Sequence, residues 1–109
     1  MNQAQVDAIA EEMIHRAQTG AGPVQLATWL RERVPGLTPF LFTLIFAHAF
    51  HVPVQRLKQA TAWRGLGKGS LSDDELVRLL NPLTPRTDGE WVDHPGGGRN
   101  WKPFRDASH

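Results

Sequence analysis

His48 and His51 lie three residues apart, a spacing that could bring two imidazoles onto one helical face to share a metal ion. The His-Glu-x-x-His pattern of zinc hydrolases is absent, and Pro53 opens a new helix directly after His51. The spacing therefore favours two ring nitrogens at the end of a buried helix, bonded to backbone carbonyls. No metal and no cofactor is expected. The serines are Ser70, Ser72 and Ser108, and none lies in a nucleophile motif with a base and an orienting group. Asp73, Asp74 and Glu75 could be imagined as an acid/base pair. In the first turn of a helix, carboxylates are better explained by the dipole. No catalytic residue is expected.

Two further segments could bind a charged polymer or an anion. In "HPGGGRNW", His94 to Trp101, glycine N–H groups beside Arg99 could cradle a phosphate. The segment lacks a phosphate-loop signature, and Pro103 follows where a helix should start, so a turn is expected. In "AFHVPVQRLKQATAW", Ala49 to Trp63, a break precedes a helix bearing Gln55, Arg56, Lys58 and Gln59. Such side chains can read base edges, with Arg64 and Lys68 on phosphates. The helix before it, however, is apolar nearly all round, and a helix buried on all sides cannot cross a phosphate backbone. Nucleic acid is therefore a secondary expectation, carried by helix 53–63.

The elements that must position these residues read as helices. Val6, Ile9, Ala10, Met13 and Ala17 mark one face of a first helix over 2–19, ended by Gly20. Pro23 starts a second, with Leu26, Ala27, Leu30 and Val34 inward, ended at Pro35-Gly36. Thr38-Pro39 starts a third over about 39–50, which its composition places at the centre of a bundle. A fourth runs from Pro53 to about Trp63, with Val54, Leu57, Ala60 and Thr61 inward. Arg64 to Ser70 reads as a flexible loop. Ser72 and Glu75 form a capping box for a fifth helix that ends at Asn81-Pro82. From Pro82 on, prolines and glycines forbid long regular structure, and no strand is expected. The aromatic Trp91, Trp101 and Phe104 nevertheless argue for a tail docked on the helices. The expected fold is all-α: a five-helix bundle over 1–82 around a central apolar helix, with an irregular tail over 83–109.

The whole-chain figures fit a single domain. There are 109 residues, no cysteine and a formal charge of +1. No secretion signal is visible, since Asp7, Glu11 and Glu12 interrupt the N-terminal stretch. The longest apolar run is about a dozen residues, against ~20 for a membrane span. A cytoplasmic protein without a membrane partner is expected. Charge is uneven: residues 34–71 contain no acid, while Asp73 to Asp93 is rich in them.

"WRGLGKGSLSDDELVRLLNP", Trp63 to Pro82, resembles small α-helical bacterial proteins of the toxin-immunity type. The resemblance covers less than a fifth of the chain. It implies a bundle that binds and blocks a cognate protein toxin, for instance one of contact-dependent inhibition. Physically, an inhibitor needs a surface rather than a catalytic group. Many nuclease toxins are basic, so the expected contact residues are Asp73, Asp74, Asp88, Glu90 and Asp93, with Trp91 as the aromatic anchor. The other open possibility is a homo-oligomeric bundle in which Trp91, Trp101 and Phe104 meet a second copy.

Overall fold

Three of the five helices among the described residues open on a side-chain cap and the other two on a proline. The computed structural model describes residues 2–67, 69–93 and 95–104; Lys68, His94 and residues 105–109 lie outside them, and with them the expected phosphate contact of Lys68. In α1 (Gln3–Gln18) the Asn2 side chain accepts from the Gln5 amide while the Gln5 side chain accepts from the Asn2 amide, each at 2.9 Å. In α2 (Pro23–Arg33) proline occupies the first turn and Gln25 reaches back to the Gly22 amide. In α3 (Pro39–Ala49) the Thr38 hydroxyl accepts from the Leu41 amide. In α5 (Asp73–Leu80) Ser72 and Glu75 form the expected reciprocal box. A proline-initiated α4 (Val54–Ala60) stops three residues short of the expected end, where the Thr61 hydroxyl bonds back to the Lys58 carbonyl.

The helices touch in a ring: α1 on α3, α3 on α4, α4 on α5, α5 on α2, and α2 on α1. Val6, Ile9, Met13, Leu26, Leu30, Phe42, Ile45, Phe46, Leu57, Leu76 and Leu80 fill the interior. Phe42 and Phe46 of α3 and Phe50 just after it meet in tilted contacts, with ring centroids 4.7 and 6.0 Å apart. The expected enclosure of the third helix does not hold. Phe40 is 72% exposed and Leu44, one turn on, is also exposed, so α3 belongs to the ring and turns one apolar face to solvent. Val54, expected inside, is exposed as well, because it opens α4 before the helix has reached the core.

Within the expected loop over 64–70, Arg64–Leu66 take a regular conformation. A single 3-10 turn at Arg64–Leu66 is closed by a bridge between Trp63 and Leu71. The Trp63 indole donates to Asp73 at 2.7 Å, tying the turn to the start of α5. Gly69 is required here, since a Cβ would run into the Ala62 carbonyl.

The all-α expectation is corrected by the tail. After α5 the chain lays Thr84–Arg86 antiparallel beside Ala49–His51, with His51 N–H to the Thr84 carbonyl and Arg86 N–H to the Ala49 carbonyl. It then forms a hairpin of β1 (Gly89–Asp93) and β2 (Arg99–Pro103), so the protein is mainly helical with a small two-stranded antiparallel sheet. The register pairs Glu90 with Lys102, Trp91 with Trp101, and Val92 with Asn100. The Phe104 amide donates to the Asp88 carbonyl at 2.9 Å. Alternation from that bond makes Trp91–Trp101 and Gly89–Pro103 non-hydrogen-bonded pairs. Pro103 thus costs the ladder no bond, which is why proline there does not forbid a strand. Gly97 and Gly98, at φ +94° and +85°, supply the left-handed turn between the strands.

Candidate binding site on the hairpin

Period-two alternation gives the hairpin two faces. Trp91 and Trp101 turn toward the helices, half-buried, while Glu90, Val92, Asn100 and Lys102 turn outward. The two indoles meet edge to face at 5.5 Å, the geometry favoured by ring quadrupoles. Trp91 lies flat on the His48 ring, centroids 4.5 Å apart and planes 12° from parallel. Its Nε1–H reaches toward the His48 carbonyl at 3.4 Å. Trp101 meets His51 edge-on at 5.5 Å. The two histidines at the end of α3 are therefore the seat on which the hairpin rests.

Two arginines clamp that seat. Arg86 donates through Nε to the Ala47 carbonyl at 2.7 Å and through Nη1 to His51 Nδ1 at 3.0 Å. Its guanidinium lies 5.1 Å from the centroid of each tryptophan. Because guanidinium only donates, His51 Nδ1 is the acceptor, and the ring proton sits on Nε2 and goes to Asp88 Oδ1 at 3.0 Å. Burial pulls Arg86 below the ordinary guanidinium range, against the attraction of Asp88. The hydrogen bond from His51 holds the exposed Asp88 carboxyl below the usual carboxylate range.

On the other side, Asp7 of α1 gathers three donors on one oxygen. His48 Nε2 lies 2.6 Å away, Arg99 Nη1 3.0 Å and Gln3 Nε2 3.1 Å. Burial works against the Asp7 charge, but the bonds from Gln3 and Arg99 outweigh it and hold the carboxyl low. His48 is buried, and burial pushes its imidazole below the ordinary value against the pull of Asp7; Arg99 and Arg86 add to the lowering. Arg99 Nε is 3.1 Å from Asp93 Oδ1 but out of line for a hydrogen bond, so that pair is Coulombic. Between α1 and the hairpin runs a groove of about 270 Å³ lined by Asp7, Glu11, His48, Glu90, Trp91 and Arg99, among others.

This arrangement redistributes the acidic residues expected at an interface. Asp73 and Asp74 stand at the start of α5 and Asp88, Glu90 and Asp93 along the hairpin. Asp73 is taken by Trp63, Asp88 by His51 and Asp93 by Arg99. Asp74 and Glu90 have no such partner among the described residues. Trp91 is committed inward, and the hairpin's exposed apolar groups are Val92 and Phe104, at 39% and 68% exposure. The histidines bond to carboxylates as well as neighbouring rings, where backbone carbonyls were expected. Among the described residues no group of three or more potential ligands gathers to hold a metal. Arg99 of the glycine-rich segment pairs with Asp7 and Asp93, and of that segment Gly97 and Gly98 lie in the hairpin turn while Arg99 to Trp101 belong to β2. On α4, Gln55, Arg56, Lys58 and Gln59 are all exposed as expected, but the helix before them presents Phe40 and Leu44. No helix among the described residues is long and apolar enough to cross a membrane. No protein-family model, curated protein or solved structure matches this chain.

Proposed function

We propose that the chain is a protein-binding module, an immunity-type inhibitor that binds a cognate bacterial toxin domain in the cytoplasm with the outward face of its hairpin. The observation that carries this reading is the way the hairpin is held. A lone two-stranded hairpin is marginal in water. Here two histidines, two arginines and a tryptophan pair fix its inner face, while Val92 and Phe104 stay exposed on the other side. Spending so many groups on a surface ribbon makes sense if the ribbon must be presented rigidly, since preorganisation reduces the ordering cost of binding. Glu90 and Asp74 supply carboxylates with no internal partner, the kind that steer a basic protein. The resemblance of Trp63 to Pro82 to helical immunity proteins supports the same reading.

The test is co-purification with the product of the adjacent upstream gene. The expected result is a complex that survives gel filtration and abolishes the partner's toxicity. Glu90→Arg combined with Phe104→Ala should weaken it at least about tenfold, the loss of a small hot spot, while leaving the circular dichroism unchanged. A neighbour that is neither toxic nor bound refutes the proposal.

A further inference from the structure

We propose that His48 is a proton-operated latch: the hairpin sits on the helices while this imidazole is neutral and leaves them when the ring takes up a proton. The inference concerns the isolated chain and stands without any partner. His48 is the one buried polar or charged residue among those described. The β1 indole covers one face of the ring and the groove beside the hairpin meets its edge, so the hairpin is the element that would have to move for the ring to be fully hydrated. Proton uptake charges a ring whose Nε2 already lies 3.5 Å from Arg99 Nη1 on β2. Arg86 adds a second cation across the same indole. The counter-charge is Asp7, and its Oδ1 is already shared among His48, Arg99 and Gln3. Glu11 of α1 and Glu90 of β1 line the same groove, and His51, bonded to Asp88 and to Arg86, follows three residues along the chain.

Burial outweighs Asp7 and holds the seated imidazole below its ordinary value. For a histidine depressed in the seated state, the sign is fixed. Seating is at full strength above the ordinary imidazole pKa and is lost as pH falls through it toward the depressed value. Release bares His48, the tryptophan pair and the end of α3, while the helices keep their own core.

The experiment follows the indole N–H resonances of Trp91 and Trp101, and amide exchange of β1 and β2 corrected for intrinsic chemistry. The pH runs from about 7.5 to about 5.5. One histidine with an ordinary pKa of about 6.5 can raise the released fraction by up to about tenfold over that range. The expected result is a several-fold rise, with the helical circular dichroism constant. His48→Gln, which keeps a donor toward Asp7 and cannot charge, should flatten the response, whereas His51→Gln should retain it. The ring titration of His48 in the unaltered chain gives an independent reading: the release midpoint should track it. No pH response, a response unchanged in His48→Gln, or a midpoint that follows another group overturns the latch.

Discussion

Arg86→Ala should release the hairpin without melting the helices. Besides a bond to His51, whose 31% exposed side chain water can satisfy in its place, the side chain contributes one part-buried charged hydrogen bond to the Ala47 carbonyl and faces over two indoles. A charged hydrogen bond is worth about 1.5–3 kcal/mol and each half-exposed cation–π contact about 0.5 kcal/mol. Together they amount to about 3 kcal/mol, or about a hundredfold in the seating equilibrium. The loss cannot exceed the seating free energy itself, because beyond that point the hairpin simply leaves. Native-state hydrogen exchange reads this directly. Amides of β1, β2 and Phe104 should exchange up to about a hundred times faster at neutral pH, while those of Phe46 and Leu30 in the core helices keep their protection. Arg86→Lys keeps the charge but not the planar fork, so it should lie between the two. If hairpin exchange in Arg86→Ala stays within about twofold of the unaltered chain, the clamp holds nothing and the account of the site is wrong.

Other substitutions test the scaffold. Trp63→Phe removes the indole bond to Asp73 and should cost about 1 kcal/mol by denaturant titration. Ser72→Ala opens the capping box of α5, with a similar loss of about 1 kcal/mol and an unchanged denaturant slope. Gly69→Ala sets a methyl against the Ala62 carbonyl and should cost about 2 kcal/mol or more, visible as a lowered melting temperature. Asp88→Asn should shorten hairpin protection at neutral pH, and an unaltered chain should lose the Asp88–His51 contribution only in acid, as the low-lying carboxyl protonates. Light scattering should report a monomer, since Trp91 and Trp101 are turned onto the helices and unavailable to a second copy.

The helices were legible because their signals are local. Pro23, Pro39 and the Ser72–Glu75 box announce starts in the sequence, and the spacing of Val6, Ile9, Ala10 and Met13 announces a face. The hairpin was legible in principle. Two short runs with tryptophan at the centre of each flank Gly97-Gly98, but the prolines and glycines around them mimic an irregular tail. The cluster beneath it was not legible, because Asp7, His48 and Arg99 come from three distant segments and no local pattern joins them. The inward turn of Trp91 follows from strand pairing, so without the strand it could only be read as an exposed anchor. The exposure of Phe40 depends on which helices happen to pass beside α3, which composition does not encode.

The bond between Arg99 and Asp7 joins positions 92 apart. Closing so long a stretch of chain costs entropy that a single ion pair cannot meet. The packing of α1 on α3 meets most of that cost, since it sets Asp7 beside His48 independently of the hairpin's own strands. The anchorage of the ribbon therefore depends on the helices: Arg99 meets its carboxylate only where α1 and α3 bring Asp7 to His48. Contacts of such long sequence separation are slow to form as a class, and here the one that closes the end of the chain onto its start rests on helices that have a core of their own.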